Sequence, residues 1–258
     1  MRHNYVGDEG DYAKLALLRA LERHGQLLGV NWYLTVHEEG EGTPGGADGN
    51  KLAHLQDGDE DWLYLDDALL MQMRRSLERW TRGDRHIAHL EEMLPGAVFF
   101  AGELPTGDPR YSPAQREVRR REWHREALAA LGGADVVFVD PDNGFEVKSH
   151  GPRSKRRCKY AAYSEVADYL ARGQAVVAYQ HRPRVTWETL VATVKAELRH
   201  HDVPTAAPGF IAFGSRGFFM MHRDPAVVAR MMTSAGELVR RSDMAAAPRL
   251  TITVVPPA

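Results

Sequence analysis

The chain holds a single cysteine, Cys158, among 258 residues. That excludes an intramolecular disulfide and any metal cluster built on several thiolates. Neither sign of charge dominates: 33 Lys and Arg stand against 35 Asp and Glu, a formal net charge of −2. A uniformly basic, histone-like binder of nucleic acid is thereby excluded, and only local basic patches remain. Long hydrophobic runs are missing too, none approaching the roughly 18 apolar residues of a membrane-spanning helix. The opening stretch, residues 1–14, lacks the apolar centre of a secretory signal. These absences together lead to the expectation of a soluble, cytoplasmic protein. What is present is 43% hydrophobic and 26% charged residues, enough for a sizeable core and too apolar for a chain disordered throughout.

No internal repeat is visible. Leu15, Leu17, Leu18 and Leu21 predict a helix over Tyr12 to His24, with Asp11 as N-cap and Gly25 as stop. The apolar run 27–36 predicts a buried strand, and the Gly-rich polar stretch 37–50 a long loop. Residues 57–95 predict a helical insertion or lid, and residues 97–104 a strand. Ser112 and Pro113 open a strong helix over 112–131 that Gly132 and Gly133 end. Strand Val136 to Val139, helix 163–173, the apolar run 175–179 and helix 186–201 then alternate. Two further strand-like runs, a helix opening at Pro225 and a last strand complete the order. Continuous apolar strands alternating with helices predict a mostly parallel sheet with helices on both faces. The strand–strand–helix–strand ending predicts an antiparallel C-terminal edge. The whole chain, 1–258, reads as one such α/β domain.

In sheets of this kind ligands bind beyond the carboxyl ends of the strands. Two predicted strand ends are dense in polar groups: Asp140-Pro141-Asp142-Asn143-Gly144 and Tyr179-Gln180-His181-Arg182-Pro183-Arg184. Turn chemistry accounts for Asn143 and Gly144, but not for Asp140 directly after four apolar residues. The opening segment adds Gly7, Asp8, Gly10, Asp11 and Lys14. Glycines there let a ligand approach the backbone, and a helix start favours an anion, which the carboxylates oppose. Between the two strand ends, residues 153–159 contain Arg153, Lys155, Arg156, Arg157 and Lys159, a run suited either to water or to tracking phosphates. Arg116, Arg119, Arg120, Arg121 and Arg125 add basic charge on a nearby helix, mixed with Glu117 and Glu122.

These pieces resemble the bacterial adenine-N6 methyltransferases of large-subunit ribosomal RNA. That family opens with Arg-His, an aromatic residue, then Gly-Asn-x-x-Asp-x-x-Lys. Here Arg2-His3-Asn4-Tyr5 precedes Gly7-Asp8-Glu9-Gly10-Asp11-Tyr12-Ala13-Lys14. The family's catalytic strand ends Asp-Pro-Pro-Tyr-Glu, and here Asp140-Pro141-Asp142-Asn143-Gly144 stands in that place. The Pro225 helix and the closing Val255-Pro256 follow the family's order as well. The resemblance implies a Rossmann-like fold that binds S-adenosylmethionine (SAM). Two departures stand out. The SAM loop is reduced to Glu38-Glu39-Gly40-Glu41-Gly42, and Asp142-Asn143 replaces the Pro-Tyr that would stack a flipped adenine.

Three functions follow as expectations. The first is SAM-dependent methyl transfer to a nucleic acid, RNA or DNA, or to a nucleobase-like amine. Asp140 or Asn143 would accept a hydrogen bond from the amine, with His181 and Asp142 in the same catalytic cluster. Gly7, Asp8, Asp11, Lys14, Gly40 and Gly42 would lie around the cofactor. Lys155, Arg156, Arg157, Lys159, Gln180, Arg182 and Arg184 would contact the substrate. The second is a nuclease or phosphohydrolase holding Mg²⁺ or Mn²⁺ on Asp140 and Asp142, with His181 moving protons. The third is a non-catalytic module that binds nucleotide or nucleic acid.

Overall fold

The structure, a computed structural model, describes residues 3, 6–23, 25–35, 52–55, 65–77, 86–104, 110–151, 154–201, 207–244 and 252–255. Helix α1 spans Glu9–Glu22. It starts ahead of the expected Tyr12 because Asp8, rather than Asp11, caps it. The Asp8 Oδ1 accepts from the backbone N of Gly10 at 2.8 Å and of Asp11 at 3.0 Å. The Asp11 carboxylate is turned backward instead, accepting from Gly7 N at 2.9 Å.

Strand β1 covers Leu28–Asn31, and β2 covers Val98–Phe100. Between them in the chain lie helices α2, Asp67–Leu77, and α3, Ala88–Glu91, within the expected insertion. Their apolar residues Leu69, Leu70, Met73 and Leu90 are buried in the same cluster as α1. Asp66 ties this layer to α1, accepting from Arg19 at 3.0 Å and Arg23 at 2.7 Å. Helix α4 spans Pro113–Ala130 and opens on the expected cap: Ser112 Oγ accepts from Gln115 N, and the Gln115 side chain accepts from Ser112 N at 2.9 Å. Then follow β3 (Val136–Val139), β4 (Gly144–Phe145), β5 (Tyr160–Ala161), α5 (Tyr163–Ala171) and β6 (Ala175–His181). The chain closes with α6 (Trp187–His200), β7 (Gly209–Phe213), β8 (Arg216–Met221), α7 (Pro225–Asp243) and β9 (Ile252–Val255).

Seven strands form one sheet in the order β2-β1-β3-β6-β8-β7-β9. The pairs β2/β1, β1/β3 and β3/β6 are parallel, whereas β6/β8, β8/β7 and β7/β9 are antiparallel. Only β8 and β9 therefore run against the rest. The fold is the expected Rossmann-like α/β sheet, mostly parallel, with its antiparallel edge at the C-terminal strands. Alternate strand residues feed two cores. Val136 and Phe138 join α1, α2, α3 and α7 on one face; Val137 and Val139 join residues of α4, α5 and α6 on the other. Burial on both faces is why these strands are apolar without alternation. Each fully buried Val or Phe contributes about 1.5–3 kcal/mol of transfer free energy.

Beyond β3, β4 and β5 form a separate parallel pair, Gly144 opposite Tyr160. The sequence pattern did not predict it, because two residues per strand are too few for a period. Gly144 has φ +107°, and a Cβ there would fall 2.2 Å from the Gln180 Oε1, so only glycine fits.

Candidate functional site at the carboxyl edge

The chain passes from β1 to β2 on one side and returns through α4 to β3 on the other. The strand order thus reverses between β1 and β3, where α/β sheets of this kind bind ligands. Asn31 pairs with Val139 across that junction, and Asp140 N donates to Asn31 O at 3.0 Å. Asp140 is buried there. Helix α1 crosses the edge and drops Lys14 onto it, its Nζ donating to Asp140 Oδ2 at 2.7 Å and Asp11 Oδ1 at 2.8 Å. The ammonium also lies 5.8 Å from the ring centres of Trp32 and of Tyr179.

A buried charge persists only when paired and hydrogen-bonded. Burial works against the charge on Lys14, yet Asp11 and Asp140 outweigh it and hold the ammonium well above the ordinary lysine value. Burial, aided by the negative charges of Asp8 and Asp140 and opposed by Lys14, pushes the Asp11 carboxyl up to about 6. At the start of α1, Arg216 from β8 donates to Asp8 at 2.9 Å and to Glu9 at 3.2 Å. A Cβ on Gly10 would overlap the Arg216 guanidinium, so this close approach needs the glycine. Burial disfavours the charge on Arg216, but Asp8, Tyr179 and Glu9 raise its pKa overall. Four carboxylates, Asp8, Glu9, Asp11 and Asp140, therefore share the two cations Lys14 and Arg216.

The end of β6 stands beside that of β3. His181 N donates to Asn143 O at 3.3 Å, and the Tyr179 hydroxyl lies 3.5 Å from His181 Nδ1. Gln180 braces the turn after β3. Its Oε1 accepts from Phe145 N at 3.0 Å, and its Nε2 donates to Asn143 O at 2.9 Å and His181 O at 2.8 Å. Asp142 and Asn143 are half-buried, whereas His181, Arg182 and Arg184 are exposed.

Of the expected site, the structure thus brings together Gly7, Asp8, Asp11, Lys14, Asp140, Asn143, Gln180 and His181. Gly40, Gly42 and Arg153 lie outside the described residues, as does the side chain of Lys155. Lys14 was expected beside the cofactor; its ammonium is engaged by two carboxylates of the chain. Gln180 was expected on substrate; its amide is engaged by backbone. In the basic run, Arg156 is exposed, while Arg157 pairs with Glu117 and lies 3.7 Å from Glu146.

Sequence reasoning missed Arg216, Tyr33 and Glu165, and read Arg120 only as basic charge on a helix. Arg216 left no signal, since a lone arginine after a turn is ordinary. Tyr33, just past β1, has φ +46°, an uncommon conformation for a bulky residue. Its hydroxyl donates to Glu165 at 3.1 Å. Glu165 in turn takes two hydrogen bonds from Arg120, at 2.5 and 2.8 Å. Burial disfavours the Glu165 carboxylate, but Arg120 overrides it and lowers its pKa. Arg120 also donates to the carbonyls of Arg157 at 3.0 Å and Tyr160 at 2.7 Å. This network therefore pins the basic run to the end of β1.

No family model matches the chain, and no curated protein does. A solved structure, protein LPL1258 from Legionella pneumophila, described with the family model DUF519, aligns over 98% of each chain at 10% identity and a TM-score of 0.46.

Proposed function

We propose that the protein is a SAM-dependent methyltransferase acting on an amine of a nucleic acid or a nucleobase-like compound. The observation that carries this reading is the charge at the β1/β3 junction. Four carboxylates and two cations leave a surplus of negative charge where such sheets bind ligands. That surplus fits a cationic cofactor better than a phosphate. When bound, SAM supplies a methyl group carried on a positively charged sulfur. Lys14 anchors Asp140 at the strand end, and Gln180 holds the following turn in place. Asp142 and Asn143, half-buried on that turn, are the acceptors that a substrate amine would meet.

The metal-hydrolase reading has less support. Lys14 holds Asp140 Oδ2 at 2.7 Å, and among the described residues no group of three or more His, Cys, Asp or Glu side chains is arranged to hold a metal ion. Calorimetric titration with SAM and, in parallel, with Mn²⁺ tests both. We expect saturable SAM binding that Asp140→Ala abolishes and EDTA leaves intact. Tight Mn²⁺ binding lost in Asp142→Ala, with no SAM binding, would overturn the proposal.

A further inference from the structure

Away from the carboxyl-edge cluster, the N-terminal segment meets the insertion through two histidines. The His3 and His86 rings stack, with centroids 4.0 Å and planes 18° apart. Both Nδ1 atoms accept from the backbone where α3 begins: Ile87 N donates to His3 Nδ1 at 3.3 Å, and Ala88 N to His86 Nδ1 at 3.2 Å. His86 N donates in turn to His89 Nδ1 at 3.3 Å. The first N–H groups of a helix find no acceptor within it, and here imidazoles supply the acceptors. On the other side of His3, its carbonyl accepts from Val6 N at 3.2 Å. Val6 and Ile87 are both buried in the core that holds α1, and Gly7, which follows Val6, donates to Asp11. His3 therefore ties α3 to the start of α1.

Each of these bonds needs a neutral ring. An imidazole that accepts at Nδ1 carries its one proton on Nε2, so a second proton can go only to Nδ1. There it turns an acceptor into a donor that faces an N–H. It also sets a positive charge at a helix start, where the backbone dipoles oppose it, and a second protonated ring in the stack adds like-charge repulsion. Burial, His86 and the chain's amino group, in that order, hold the His3 pKa below the ordinary histidine value. On α3, His89 adds a third basic ring, and the Glu91 carboxylate is engaged by Trp32 Nε1 at 2.9 Å. His3 is half-buried and His86 exposed, so protons reach the stack from solvent.

We propose that the His3–His86 stack is an acid-released latch. Neutral, it fastens the N-terminal segment to α3; protonated, it frees that segment and loosens the start of α1 behind it. The folded state favours the neutral His3 ring. The latch therefore contributes fully above the ordinary histidine value and is lost as the pH falls through the lower value held in the fold. It does not depend on what the carboxyl edge binds.

NMR of the full chain labelled on its histidine nitrogens, between about pH 8 and 5, tests this together with amide hydrogen exchange corrected for its intrinsic pH dependence. At the upper end, His3 and His86 both show a bare Nδ1 and a protonated Nε2. On acidification, protection of the Ile87 amide falls about tenfold, the worth of one hydrogen bond, and it falls with the His3 titration. His86→Phe keeps a stacking ring but removes its charge, so the His3 midpoint moves up and the loss at Ile87 follows it to higher pH. A merely structural His86 would leave that midpoint where it was. His3→Phe leaves Ile87 poorly protected at every pH. The buried Asp11 carboxyl titrates nearby, at about 6, and Asp11→Asn leaves the Ile87 profile in place. A His3 midpoint unmoved by His86→Phe, Ile87 protection independent of pH, or an Ile87 profile abolished by Asp11→Asn overturns the proposal.

Discussion

Lys14 holds Asp11 and Asp140 together, and their charge balance sets a pH dependence. With Asp11 protonated, Lys14 and Asp140 make a neutral pair; with it ionised, the buried trio carries a net negative charge. Its folded-state pKa of about 6 lies above the value of about 3.9 expected when unfolded. The folded state therefore binds more protons between those values, and this group's contribution is full below pH 4 and lost as pH rises through 6. Asp11→Asn mimics the protonated form and removes that loss. We expect denaturant titrations to show a difference between variant and wild type that moves in the variant's favour by about 1.4 kcal/mol per pH unit across this window. A difference that stays constant from pH 4 to 6 would refute the buried, raised carboxyl. Asp11 was legible in the sequence as a helix start and a cofactor candidate, but not as a raised carboxyl, because Asp140, whose charge opposes its ionisation, lies 129 residues further on.

At the scale of elements, the turn after β3 is the critical joint. It must leave the sheet, form the β4/β5 pair and still present Asp142 and Asn143 beside His181. Gly144 permits this through its positive φ, and Gln180 occupies the space where a side chain would go. Gly144→Ala should destabilise the fold by about 1–3 kcal/mol, the cost of strained backbone, and displace the Gln180 amide from Phe145 N. Hydrogen exchange at Phe145 and thermal unfolding measure both; unchanged protection with an unchanged midpoint would show the joint to be tolerant. Helix α4 teaches a related lesson. Its cap was legible because Ser112, Pro113 and Gln115 act within one turn. Its buried face was not, because Arg116 and Arg120 sit there and mask the apolar stripe. Arginine reads as surface until the structure supplies Glu165 and the carbonyls that accept its donors.

For the whole molecule, the sheet separates two cores that share no side chain. Leu17 on α1 is buried on one face and Leu170 on α5 on the other. Each cut to Ala should cost about 2–5 kcal/mol, and the double variant should lose the sum within about 0.5 kcal/mol, as distant sites do. A coupling above about 1 kcal/mol in urea unfolding would mean that the sheet transmits strain between its faces. The alternation of continuous apolar strands with helices already determined a two-faced parallel sheet, since burial on both sides demands apolar residues at every strand position. It also placed Asp140 and His181 at strand ends, because an apolar run that stops at polar residues marks where a strand leaves the sheet. What only the tertiary structure decided was which charges find each other: Lys14 with Asp140, Arg216 with Asp8 and Glu9, Arg120 with Glu165 and, through it, Tyr33. Periodicity is local, whereas a buried ion pair depends on distance in space and on exclusion of water. Both exist only once the strands have taken their order.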